Sequence, residues 1–292
     1  MALRITVDVF SGRPNPLILL EGEEERQALG RLRPGNNNPR ETLPPVPATI
    51  LGYRGLWVEQ TEQQEKSLPR AFRVANGDLL GPGPAMRIGD SGFEDFICGS
   101  SGPLRRLQLP APVMELLARG PTMLAAARSA WAGTFRKWPS KLACRCAPLY
   151  EPAWWNDGGQ RQFNNNCYNH ACNHRTDTFA QPGQASGAIY TGLTCAEVHP
   201  AALRDDLDDA PRANNKCPKE GHLVALVIAP QIDFHWYRKG RNGLWTHKPG
   251  PTPVTNLDNS GHAITDPRSA NRGMYTDFCS FLVVHHGHIK IN

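Results

Sequence analysis

The chain has 292 residues, a formal net charge of +5, 40% hydrophobic residues, 27 glycines and 26 prolines. That length holds one large domain or two ordinary ones, and the Gly and Pro content points to turns and long loops. Basic residues are interspersed with acidic ones, which excludes a nucleic-acid stripe, and no run reaches the roughly 20 apolar residues of a membrane helix.

Residues 3–9 alternate apolar and polar side chains, as a half-buried strand does, and lack the continuous apolar stretch of a signal peptide. The expectation is a soluble, cytoplasmic protein. In that compartment the eight cysteines stay free thiols, with Cys98 and Cys279 buried in apolar runs. Cys144, Cys146, Cys195 and Cys217 lie in loop-like sequence and can pair in an oxidising setting.

After a proline-rich turn at 11–16, an acidic start at 21–25 leads into a short helix. Residues 50–58 and 70–74 read as antiparallel strands and 92–97 as a helical turn. At 110–132 the Gly120-Pro121 pair divides the helical pattern into two short helices, with Met114, Leu116, Leu117, Met123, Leu124, Ala127 and Trp131 as core candidates. The expected class is α+β: a small α+β domain over 1–136 without an assigned site, then a second domain over 137–292.

Every histidine lies at or beyond His170, which puts the candidate chemistry in the second domain. The stretch from Asn164 to His174 opens with three asparagines, good N-caps, so Cys167 falls in the first turn of a helix with Tyr168, Ala171 and Cys172 facing inward. A helix N-terminus is worth about 0.3–1 kcal/mol to a thiolate, less than one pKa unit. Activation of Cys167 therefore needs an imidazole and a third group to orient it.

The continuous apolar run at 223–228 reads as a strand buried on both faces, followed by strands at 233–239 and 244–248 and a last one at 278–284. With a two-residue turn at Asn242-Gly243, His235 and His247 point to opposite faces of the sheet. With a three-residue loop, Arg241 to Gly243, and Gly243 in the left-handed region, Tyr237 faces His247 and His235 lies diagonal to it on the same face. The catalytic reading needs the second register.

Cysteine at a helix start, then histidine on a strand, then a polar residue on the next strand resembles the papain-like and NlpC-type cysteine hydrolases over residues 160–284. An aromatic residue follows the nucleophile there, as Tyr168 follows Cys167. The resemblance implies a papain-like helix-plus-antiparallel-sheet domain with Cys167 as nucleophile, His235 as general base and His247 as orienter, acting on a peptide or other amide- or thioester-bearing substrate. Gln162 is the implied oxyanion-hole donor, Asn256 and Asp258 are reserves for the third position, and His222 is a rival base. No metal or organic cofactor is needed for this chemistry.

Two other readings compete. Trp236, Tyr237 and Trp245 would line a ligand surface if the hairpin belongs to a non-catalytic binding module. Cys167, His170, Cys172 and His174 carry zinc-binding chemistry, although their crowded spacing departs from paired zinc motifs.

Overall fold

The computed structural model describes residues 2–32, 49–61, 65–81, 86–88, 92–131 and 144–292, with the side chains of 87 and 125–131 outside the description. The class is α+β, with two antiparallel sheets. The chain forms two compact units: Met1–Val9, Asn15–Pro47 and Tyr53–Ala132 make the first, and Phe10–Pro14, Ala48–Gly52 and Gly133–Asn292 the second. No helix among the described residues is long and apolar enough to cross a membrane.

In the first unit, strands β1 (Ala2–Val7), β2 (Leu17–Glu21), β3 (Leu56–Gln60), β4 (Ala71–Ala75), β5 (Asp78–Leu80) and β6 (Met86–Arg87) form a sheet in the order β2-β1-β3-β4-β5-β6. Alternation along β1 buries Leu3, Ile5 and Val7, as its pattern requires. The strand expected over 50–58 begins only at Leu56, because Gly52 and Gly55 adopt φ of +109° and +110°. Buried Asp8 accepts from Arg54 at 2.6 Å and pairs with Arg73 at 2.7 Å. Burial raises its carboxyl, and the two guanidiniums outweigh that and hold it below the usual range.

Helices α1 (Gly22–Arg31), α2 (Phe93–Cys98) and α3 (Ala111–Trp131) accompany this sheet. α3 runs unbroken through Pro121, against the expectation of two helices. Gly120 serves packing here: a Cβ on it would lie 2.5 Å from the Tyr53 ring. Of the expected core residues Leu116, Leu117 and Leu124 are buried, whereas Met123 is exposed; the side chains of Ala127 and Trp131 fall outside the description.

The second unit carries helices α4 (Pro152–Trp155), α5 (Gln160–Phe163), α6 (Cys167–Cys172) and α7 (Cys195–Arg204). Its sheet takes the order β10-β9-β8-β11-β7, with β7 (Asp208–Asp209), β8 (His222–Ala229), β9 (Asp233–Lys239), β10 (Trp245–His247) and β11 (Asp277–Val284). β8 is buried along its whole length, as its apolar run predicts. On one face Val224, Leu226, Ile228, Phe234 and Trp236 pack with Cys167, Tyr168 and Val198. On the other, Leu223, Ala225, Val227 and Tyr237 pack with Trp245, Ile264 and Tyr275.

Cys144 is bonded to Cys217 and Cys195 to Cys279, so Cys144, Cys195 and Cys217 take the paired alternative open to them in an oxidising setting, and the placing of Cys279 as a free thiol is corrected. Cys279 in particular is a half-cystine, whereas Cys98 is a buried thiol as expected. The pairing is a non-local fact: 84 positions separate Cys195 from Cys279.

Candidate active site

Cys167 opens α6, and Asn166 caps it. The Asn166 side chain accepts from Tyr168 N and Asn169 N at 3.0 and 3.1 Å, and the Asn169 side chain accepts from Asn166 N at 3.0 Å, closing a capping box. All six residues of this short helix are buried. The cap thus sets the thiol at a defined point against β9.

The hairpin between β9 and β10 has the register that the catalytic reading needs. Tyr237 faces His247 and Lys239 faces Trp245. Gly240 and Leu244 close a three-residue loop, with Gly243 at φ +80°. His235 Nε2 lies 2.9 Å from His247 Nδ1, and His247 Nε2 lies 3.0 Å from the Leu257 carbonyl.

The two histidines meet each other, yet the link to Cys167 is indirect. Phe234 and Trp236 share the face of β9 that packs on α6, so alternation puts His235 on the other face with Tyr237. Ser11 stands between them: its Oγ lies 2.5 Å from His235 Nδ1, and its hydroxyl favours the Cys167 thiolate. The bridge stands beside residues of β9 that precede its pairing with β10.

The polarity of this chain follows from its far end. A carbonyl only accepts, so His247 Nε2 carries a proton, and in the neutral ring Nδ1 accepts from His235 Nε2–H. His235 Nδ1 then accepts from the Ser11 hydroxyl, which stands beside the Cys167 sulfur and favours its thiolate. Cys167, Ser11, His235 and His247 are each fully buried, and from Ser11 onward every donor points toward Leu257.

Electrostatics hold the buried thiol protonated. Burial is the main cause that raises Cys167, and Asp233 adds to it; the Ser11 hydroxyl, the Trp236 backbone N–H and Lys248 work in the opposite direction. Lys248 donates to the carbonyls of Gln162, Asn165 and Gly250 at 2.6, 2.5 and 2.7 Å.

The segment carrying Ser11 is bound mainly through its backbone. Asp233 accepts from Ser11 N at 2.6 Å, Gly12 N at 3.2 Å and Arg13 N at 3.2 Å, and from Tyr275 Oη at 2.5 Å. The Gly12 carbonyl accepts from Gln181 Nε2 at 2.8 Å and Asn166 Nδ2 at 2.9 Å. Tyr190 Oη donates to Gln181 Oε1 at 2.8 Å and so orients that amide.

Other candidates lie elsewhere. Gln162, the expected oxyanion donor, gives its amide to the Pro251 carbonyl at 3.4 Å. His222, the rival base, is bound to the Ala171 carbonyl at 2.7 Å, and burial lowers it to about 3. Asn256 and Asp258, the reserves for the third position that His247 holds, flank Leu257, whose main-chain carbonyl bonds His247; Asp258 caps the turn to His262 and Asn271.

Trp236, Tyr237 and Trp245 are fully buried, which corrects the expected aromatic ligand surface. Trp245 donates to Asn215 at 2.8 Å and stacks on Phe281. His170 faces Thr246 at 2.9 Å and Trp155, and His174 is exposed. Among the described residues no three His, Cys, Asp or Glu side chains come together as metal ligands, so the rival zinc quartet does not converge.

Sequence reading missed Ser11, Asp233, Gln181 and Tyr275 as site residues. Ser11 and Gln181 lie in segments that read as plain turns, and nothing local signals a partner 224 positions away for Ser11.

The insoluble matrix shell protein 1 of Ruditapes philippinarum is 48% identical to the chain over 142 residues, which are 48% of this chain and 91% of that protein. The chain belongs to the family of that shell matrix protein. No protein-family profile matches the chain, and no solved structure matches it at a significant level.

Proposed function

We propose that the second unit is a papain-like thiol hydrolase or acyltransferase acting on amides or thioesters. The observation that carries this reading is the hydrogen-bonded series from the Ser11 hydroxyl through His235 and His247 to the Leu257 carbonyl, with Ser11 beside the Cys167 thiol. Burying two imidazoles in series costs desolvation that an apolar core avoids.

In the reaction, which follows the departure of Ser11 from between the two groups, the thiol proton passes to His235 Nδ1, and the imidazolium is held by its Nε2–H on His247. The thiolate is favoured by the Trp236 N–H, Lys248 and the first turn of α6. It attacks the carbonyl carbon, the C–N or C–S bond breaks, and the leaving group takes the proton from His235. Water or an amine, deprotonated by His235, then cleaves the acyl-thioester and restores the thiol. Access requires an open state, because Cys167 is fully buried in the closed one.

The reading is tested with a panel of peptide amides and acyl thioesters against the wild type, Cys167→Ala and His235→Ala. Turnover lost in both variants is expected. Equal rates in Cys167→Ala and the wild type would sink it.

The two disulfides and the kinship with a shell matrix protein support an oxidising, extracytoplasmic setting in place of the cytoplasm expected from sequence. That kinship also favours a second reading, a structural matrix component without turnover. Retention of the protein in an insoluble mineral or polymer fraction, unchanged by Cys167→Ala, is its expected signature.

A further inference from the structure

The segment Phe10–Pro14 is held beside Cys167 as a ligand is held. Three consecutive N–H groups, of Ser11, Gly12 and Arg13, converge on the Asp233 carboxylate, and the Gly12 carbonyl rests between two side-chain amides, those of Gln181 and Asn166. These contacts read main chain, common to every peptide, as do the backbone-directed grooves of peptide-binding proteins. The Ser11 hydroxyl fills the space between the thiol and His235, where a thiol hydrolase must admit the leaving group or the attacking water.

Selectivity enters at two points. A Cβ on Gly12 would lie 2.5 Å from the Phe234 ring, itself packed edge-on against Tyr190, so only glycine fits. The next side chain, Arg13, donates to the Ile232 carbonyl at 2.8 Å, a place for a cationic donor.

We propose that Asp233, Asn166 and Gln181 form a subsite for a peptide main chain, specific for glycine followed by a basic residue, and that the chain's own Ser11–Gly12–Arg13 occupies it in the closed state. This rests on the thiol hydrolase reading for its role, though not for its test. Opening then consists of exchanging the internal segment for a substrate peptide.

The test uses the full chain with Gly12→Val and the milder Gly12→Ala, both of which drive a side chain into Phe234 and expel the segment. The probe is a fluorescein-labelled Phe-Ser-Gly-Arg-Pro peptide, blocked at both ends and followed by anisotropy, together with the rate of Cys167 alkylation by iodoacetamide read by peptide-resolved mass spectrometry. The wild type, its subsite filled, is expected to bind no peptide and to alkylate slowly. Gly12→Val is expected to bind the peptide, to alkylate at least about tenfold faster, a change of roughly 1.4 kcal/mol in closure, and to be protected again by added peptide. Replacing the probe's glycine by alanine, or adding Gln181→Leu to the variant, is expected to weaken binding about tenfold or more.

A folded Gly12→Val that binds no peptide overturns the proposal, and so does binding indifferent to Gln181→Leu or to the alanine probe. Loss of near-ultraviolet circular dichroism in both Gly12 variants overturns it too, because a removable occupant cannot be indispensable to the fold. Binding that persists in Gly12→Val/Cys167→Ala without turnover in Gly12→Val counts against the hydrolase reading alone, whereas turnover without peptide binding counts against the subsite alone.

Discussion

His235 and His247 form a buried imidazole pair, Nε2 to Nδ1 at 2.9 Å, and the pair exists because a three-residue loop ending at Gly243 puts both rings on one face of the sheet. The Leu257 carbonyl at the far end sets the tautomers of both rings. Replacing His247 by Ala leaves His235 Nε2–H without this acceptor in the core. The expected cost is about 1–3 kcal/mol of stability, measured by urea unfolding. Turnover of the best substrate is expected to fall about tenfold to hundredfold through kcat, less than the roughly 10²–10⁴-fold fall for His235→Ala.

Alkaline pH should unfold the protein through its buried acids. Burial raises Cys98 from 9.0 to about 12 and raises Cys167 and Cys172 as well. A group whose folded value lies above its unfolded one contributes its full stability below the unfolded value and loses it as pH rises toward the folded one. Stability is therefore expected to decline from about pH 9 by about 1.4 kcal/mol per pH unit for each such group. Thermal unfolding from pH 8 to 11 measures this, and Cys98→Ala should flatten the slope.

Acid acts with the opposite sign. Burial lowers His222 from 6.5 to about 3, and His170 is lowered by burial together with Arg238. Both rings contribute stability above pH 6.5, where unfolded histidine is neutral, and that contribution is lost as pH falls toward the folded value. For His222 the loss approaches roughly 5 kcal/mol by pH 3. His222→Gln keeps a donor for the Ala171 carbonyl and should reduce the acid slope in unfolding measured between pH 7 and 4.

Removing the Cys195–Cys279 bridge releases a sequence separation of 84 residues in the unfolded chain and unties α7 from β11. The expected cost of Cys195→Ala/Cys279→Ala is about 4 kcal/mol. Urea unfolding of the variant and of the wild type with reductant should agree on that value within the share owed to Cys144–Cys217. A wild type indifferent to reductant would mean that these cysteines are free in solution.

Features that depend on near neighbours in the chain were legible without coordinates. The asparagines before Cys167 do cap α6, the apolar run at 223–228 lies at the heart of a strand buried on both faces, and Gly243 allowed the hairpin register that joins His235 to His247. Each rests on a local rule of hydrogen bonding, hydrophobicity or backbone sterics. The helix runs through Gly120-Pro121 against its local rule, and Gly120 lies there against the Tyr53 ring.

Tertiary structure alone decided what stands between Cys167 and His235. Strand alternation puts that ring on the face away from α6, so the thiol reaches it through Ser11, brought from 224 positions earlier in the chain. The partners of Asp233, the cradle around the Gly12 carbonyl and the cysteine pairings share that origin. Such contacts join residues whose sequence neighbourhoods carry no trace of one another, since only burial in a common core, with every polar group then requiring a partner, brings them together.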